Sequence, residues 1–301
     1  MRLAILMLLG STIAASAAGP QRYLGICEPS GGAFLDPAHF AVASDESNII
    51  RIYRRGVPDM VGTVDLKAFL GHDKSDIEGA ARGDGVIYWT ASQSNNSSGR
   101  DRKRKVLFRT VIAGAGGAVT LRPAGIVRED LKDHLVRLSG STAAAINVEG
   151  LAATPDGGLL FGLRNLVDGK AAVVRLTNAD AVLSAAGTAP EFGETARLDL
   201  GGRGIRSLER VGDRYLIVAG KPADGDPIGY ALYWWDGAPG HPPQAWTRQP
   251  DFSGLDPEVA MPLPDGSALQ VISDDGDRCA RVDNEDGAPP GRGFSSVDIA
   301  F

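Results

Sequence analysis

Glutamate stands at positions 28, 78, 149 and 258, each time at the head of a run of small residues, and a second polar group follows about fifteen residues later: Asp45 and Glu46, Ser92, Arg164, and Asp274 with Asp275. A carboxylate at the head of an apolar strand costs several kcal/mol if it is buried unpaired, on the order of 2–7. Such a position is therefore wet, ion-paired or occupied by a cation. Carboxylates brought together in this way hold hard divalent ions, which take oxygen ligands from side chains, carbonyls and water. They also move protons, and arginines set among them grip anions through paired hydrogen bonds. The residue types assign Glu28, Asp45, Glu149, Glu258, Asp274 and Asp275 as cation ligands, Glu78 as a proton acceptor, and Arg164 and Arg206 as the anion grip. Calcium is the expected ion, because only four histidines occur and the acids carry no closely spaced cysteine pairs. No Gly-x-Ser-x-Gly, His-Glu-x-x-His or Gly-x-x-x-x-Gly-Lys motif supplies a rival chemistry.

The elements that must position these groups come from a repeat. INVEGLAATPDGGLLFGLRN from Ile146 reads as two short strands around a Pro-Asp-Gly-Gly turn, and related stretches start at Cys27, Asp76, Gly204 and Asp256, with Arg206 in the glutamate's place in the fourth. Two further strand-like segments follow each copy, for example AAVVRLTN and TARLDLGG, and in the last CARVDN and FSSVDIAF. Four strands repeated at intervals of fifty to seventy residues are the signature of a β-propeller. The expectation is an all-β fold of five four-stranded blades, with six or seven blades as the alternative, and a short helix within VREDLKDHLVRL from Val127. In an up-and-down blade the first strand starts on the face where the second ends. The glutamates and the groups that follow them therefore converge on one mouth of the central channel.

Residues 1–17 combine Arg2, an apolar run and Ala15-Ser16-Ala17, the pattern of a secretory signal peptide, leaving 18–301 as a single propeller domain. A periplasmic or secreted monomer is expected. The formal net charge of −6 argues against nucleic acid, and no apolar run is long enough for membrane insertion. Two cysteines in an exported chain permit one disulfide. Cys27 heads the first blade and Cys279 leaves the same face of the last; ring closure makes those blades neighbours, so the two should be joined.

Glu-Gly at the head of an inner strand, the PDG turn and a second strand closing on Ser-Asp-Asp or Ser-Asp-Glu resemble the bacterial propellers described as phytase-like or esterase-like. The whole pattern, including NVEGLAATPDG and LQVISDDG, is most similar to a domain-of-unknown-function family of exported bacterial proteins within that group. The resemblance implies the fold more than a chemistry. Two functions stand open: a calcium-dependent hydrolase of an anionic, phosphoester-like ester, or a non-catalytic propeller that binds a periplasmic ligand and uses the ion for rigidity.

Overall fold

The computed structural model describes residues 19–95, 105–114, 118–279 and 291–301; the expected signal segment lies outside them. Their strands form five four-stranded antiparallel sheets. The first four blades run in chain order from inner to outer strand. Their inner strands are Pro29–Phe34, Ile77–Arg82, Val148–Ala153 and Gly204–Val211, and the fifth blade's is Pro257–Pro262. Each inner strand packs against the next, and the fifth against the first, closing the ring. Five separate apolar clusters fill the gaps between neighbouring blades, so the core is a set of wedges between sheets.

The fifth blade departs from the expected strand order. Its third strand is Gly293–Ala300, paired with Ala268–Ser273, and its outer strand is the N-terminal Gln21–Leu24. CARVDN after Cys279 lies outside the described residues. The start of the chain thus completes the last blade, so the ring is closed by backbone hydrogen bonds. Aromatic packing reinforces the seam: Tyr23 stacks on Phe294 at 5.4 Å and meets Phe40 edge-on at 5.1 Å, and Tyr53 Oη donates to the Leu24 carbonyl at 2.9 Å. Cys27 and Cys279, 252 residues apart, form the expected disulfide beside it. The helix expected near Val127 spans Lys132–Ser139; Val127 itself belongs to the second blade's outer strand, Thr120–Arg128. A second helix, Ala179–Ser184, had no legible signal and packs against that same outer strand.

Every inner strand carries a bulge at the same height, where its ladder to the second strand skips one residue: Ser30, Glu78, Glu149, Arg206 and Glu258. A bulge inserts one unpaired residue and re-aims its side chain. The residue after the bulge is Gly31, Gly79 or Gly150 in the first three blades. A Cβ on Gly150 would meet Ile205 Cγ2 at 2.7 Å and Leu208 Cβ at 2.9 Å, so glycine here is what allows adjacent inner strands to close up.

Candidate functional site

The bulge residues make one ring of side chains at the near mouth, and the residues two positions earlier make a second: Glu28, Asp76, Asn147, Gly204 and Asp256. Glu28 therefore belongs with Asp76 and Asp256, and the bulge position of the first blade is Ser30, whose hydroxyl donates to the Ile77 carbonyl of the second. In the fourth blade this outer tier has no room for a side chain, because a Cβ on Gly204 would overlap the Arg164 backbone.

The mouth divides into two arcs by charge. In the first, Arg206 lies between Glu149 and Glu258: its Nη1 is 2.9 Å from Glu149 Oε2, and its Nη2 pairs with Glu258 Oε1. All three are at least nine-tenths buried, at 7, 5 and 8% exposure. Arg164 Nη1 reaches Glu149 Oε1 at 3.2 Å, its Nη2 pairs with the exposed Asp224, and its Nε donates to the Lys221 carbonyl at 3.1 Å. Asn147 Nδ2 also donates to Glu149, at 2.9 Å. Lys221 Nζ and the Tyr230 hydroxyl both reach Asp256 Oδ1, at 3.3 and 3.0 Å. Asp275, just past the end of the fifth blade's second strand, is tied to Arg278 at 3.2 Å and Ser295 at 2.7 Å. Both arginines assigned to an anion are thus already engaged by carboxylates of the chain.

The second arc is acidic. Ligand oxygens of Asp45, Asp76 and Glu78 lie within 4.8 Å of one another, as do those of Glu28, Asp45 and Glu46. Glu46 is paired with Lys74 at 2.6 Å, and Ser92 donates to Asp76 rather than to Glu78. Asp45 Oδ1 is buried without a hydrogen-bond partner. Burial, then the nearby Asp76 and Glu46, push the Asp45 carboxyl well above the usual carboxylate range against the pull of Lys74. Burial, then Asp76, Asp45 and Glu149, do the same to Glu78 against Arg206. Such shifts mean that the charged forms lack compensation here. The donor set is all carboxylate oxygen, the chemistry of calcium or magnesium rather than of softer metals. Ligands 2.3–2.6 Å from one calcium ion are at most about 5 Å apart, so the separations fit that group.

A pocket of about 370 Å³ opens beside both arcs, lined by six acids (Glu28, Asp224, Asp256, Glu258, Asp274 and Asp277) and three cations (Arg164, Arg206 and Lys221). Asp274 accepts from the Gly276 N–H at 2.7 Å. Burial raises its carboxyl to about 6, helped by Glu28 and Asp256 and opposed by that N–H and by Arg206. The residues missed by sequence reasoning are Asp76, Asp224 and Asp256. Asp76 and Asp256 share a legible Asp-x-Glu spacing with Glu78 and Glu258; Asp224 sits in a loop where nothing marks it.

Comparison with known proteins supports the architecture. No curated protein matches the chain. Among solved structures, glutaminyl cyclase of Myxococcus xanthus is 13% identical with a TM-score of 0.51, over 95% of this chain and 97% of that one. A putative oxidoreductase (glucose dehydrogenase) of Thermus thermophilus is 14% identical with a TM-score of 0.47, over 93% and 100%. At 13% identity the likeness to the cyclase is one of fold. Residues 116–268, just over half of the chain and taking in the second blade's outer strand, the third and fourth blades and the fifth's first strand, match the family model described as a protein of unknown function, DUF3616, and the chain belongs to that family.

Proposed function

We propose that this is an exported propeller whose near mouth binds a divalent cation, calcium being the class its donors suit. Asp45, Asp76 and Glu78 would hold the ion, with Glu28 and Glu46 beside them. The observation that carries the reading is the convergence of these carboxylates around Asp45 Oδ1, which is buried without a partner, while the arginines of the same mouth are spent on Glu149, Glu258 and Asp224. Six acids against three cations would repel an anion from the adjoining pocket. A small anionic molecule would therefore bind there only with the cation in place.

Calorimetric titration with calcium chloride tests this. Because Asp45 and Glu78 hold protons above the usual carboxylate range, binding should release protons, seen as a dependence of the measured heat on buffer ionisation enthalpy. The melting temperature should rise with calcium, by an amount equivalent to about 2.7 kcal/mol at a hundredfold excess over Kd. Asp45→Asn and Glu78→Gln should lose both effects. Retention of full calcium affinity by both variants would refute the site.

A second reading, hydrolysis of an anionic ester, is favoured by Asp274. A carboxyl raised to about 6 inside a ligand-sized pocket suits proton transfer near neutral pH. The bound ion would polarise the ester oxygen and hold the anion, and Asp274 would exchange protons with water and leaving group. Turnover of generic phosphate and carboxylic esters that chelator abolishes and Asp274→Asn suppresses would support it. Calcium binding without turnover would leave a binding propeller.

A further inference from the structure

The opposite mouth of the channel is built for charge of the other sign. A cavity of about 280 Å³ there is lined by residues from the ends of all five inner strands. Four residues beyond the bulge, those strands present Phe34, Arg82, Ala153, Arg210 and Pro262, so that two arginines flank one alanine round the rim. Arg82, Ala153 and Arg210 all line the cavity, and all three also line an adjoining groove of about 670 Å³. The small side chain of the third blade thus leaves a notch with an arginine on either side. Neither arginine is spent on a carboxylate, unlike Arg164 and Arg206 at the near mouth. Arg210 Nε donates to the Gly212 carbonyl at 3.0 Å, Arg82 donates to the Phe34 carbonyl, and no acid comes within ion-pair distance of either among the described residues. Partial burial draws the Arg82 guanidinium below its ordinary value against the pull of Asp36 and Asp84, so its charge is undercompensated. Of the groove's acids, Asp180 is already tied to Arg109 and to the Tyr88 hydroxyl, both at 2.7 Å.

One carboxyl shares the cavity. Glu209 stands three residues beyond the fourth blade's bulge, where the other blades have Ala33, Ala81, Ala152 and Met261, and it has no hydrogen bond or ion pair among the described residues. Burial pushes its carboxyl well above the usual range, which favours the protonated form; that form donates a hydrogen bond and cancels neither arginine. Phe34, Met261 and Leu263 add apolar wall. We propose that the far-mouth notch is a second binding site, taking the oxyanion head group, carboxylate or phosphate, of a small molecule whose short apolar body lies against Met261 and Leu263. A guanidinium has five N–H donors, so one bond to a backbone carbonyl leaves others for the ligand. Arg82 and Arg210 grip the head group from its two sides through charge-assisted hydrogen bonds, over the space that Ala153 leaves. The anion supplies the counter-charge that the chain itself withholds from these two arginines.

Met261 supplies the readout, since it is one of four methionines and lines the cavity. Protein labelled at the methionine methyl carbon is titrated with butyrate, n-butyl phosphate, n-butanol and n-butylamine while the Met261 methyl resonance is followed. An anion should shift it saturably at lower concentration than the alcohol or the amine, and the tighter of the two anions names the head group. Arg82→Gln and Arg210→Gln should each weaken that anion by about tenfold or more, the equivalent of one charged hydrogen bond. Both side chains are exposed, so these variants should keep the melting temperature and the calcium response of wild type, which separates this site from the near mouth. Glu209→Gln keeps a neutral donor and should retain anion binding. Equal shifts by anion and alcohol, no saturable shift at all, undiminished affinity in both arginine variants, or loss of anion binding in Glu209→Gln would overturn the proposal.

Discussion

Replacing Arg206 with methionine tests the charge network of the near mouth most sharply. Methionine keeps the apolar stem and removes a guanidinium that lies between two carboxylates only 5 and 8% exposed. Removing one partner of a buried ion pair leaves an uncompensated charge and costs about 3–5 kcal/mol. Glu149 keeps Arg164 Nη1 at 3.2 Å and Asn147 Nδ2 at 2.9 Å, which places the loss near the lower end, about 3 kcal/mol. In a domain of this size that lowers the melting temperature by roughly 6–12 °C. The assay is thermal unfolding at pH 8 and pH 5. Without Arg206 the ionised forms of Glu149 and Glu258 lose a compensating charge while their protonated forms do not, so the cost falls on the charged state. The deficit should therefore be larger at pH 8 than at pH 5. Adding Glu258→Gln should recover part of the loss, as expected of residues in direct contact. A variant melting within about 2 °C of wild type at pH 8, less than 1 kcal/mol here, would refute the reasoning. It would show that Arg206 is held for a ligand rather than for the fold.

Three further outcomes follow from other parts of the ring. Cys27→Ala with Cys279→Ala removes a bond closing a 252-residue separation and should cost up to about 5 kcal/mol in the chain-entropy model, read by denaturant unfolding; an unchanged midpoint would show that strand pairing alone latches the ring. Asp274 has a folded pKa of about 6, above its unfolded value, so its contribution is greatest below the unfolded pKa and is lost as pH rises toward 6; Asp274→Asn should flatten the fall in melting temperature between pH 4 and 7, and an unaltered profile would assign that titration elsewhere. Gly150→Ala places a Cβ 2.7 Å from Ile205 Cγ2 and 2.9 Å from Leu208 Cβ and should cost about 1–3 kcal/mol by chemical denaturation, whereas a neutral result would mean that the inner strands can part.

The blade count, the converging mouth and the disulfide were legible because each rests on a repeat, and a repeat survives weak local signals. The strand order of the fifth blade was not, since strand patterns say where a chain extends but not which edge it joins. FSSVDIAF reads equally well as a third or a fourth strand; only the free edge it offers to Gln21–Leu24 decides. The displacement of Glu28 has a similar cause. Its distance from the small-residue run differs by two from that of Glu149, a shift that preserves strand alternation and so leaves the pattern intact. The bulge at Ser30 is what separates the two tiers.

The same geometry explains why the charges of the mouth sort into arcs instead of alternating. A bulge residue points where its neighbours on the ring can reach it, so one cation at Arg206 serves the carboxylates on either side, Glu149 and Glu258. Arg164, within the second strand of the third blade, adds to Glu149 alone among the bulge carboxylates. Glu78 is the next bulge carboxylate round the ring, beyond Glu149, and the first blade offers Ser30 there in place of a second arginine. Asp45 and Asp76 then add negative charge around Glu78 while Lys74 is taken up by Glu46. Had the first blade carried a basic residue at position 30, Glu78 would have a cationic neighbour on the ring as Glu149 and Glu258 do, and the acidic arc would hold one fewer uncompensated charge. Ser30→Arg is accordingly the change that should stand in for calcium: it would supply the missing cation beside Glu78, raise the melting temperature in chelator, and abolish the further rise on adding calcium. If Ser30→Arg folds yet still gains the full stabilisation from calcium, the ion binds somewhere other than the acidic arc.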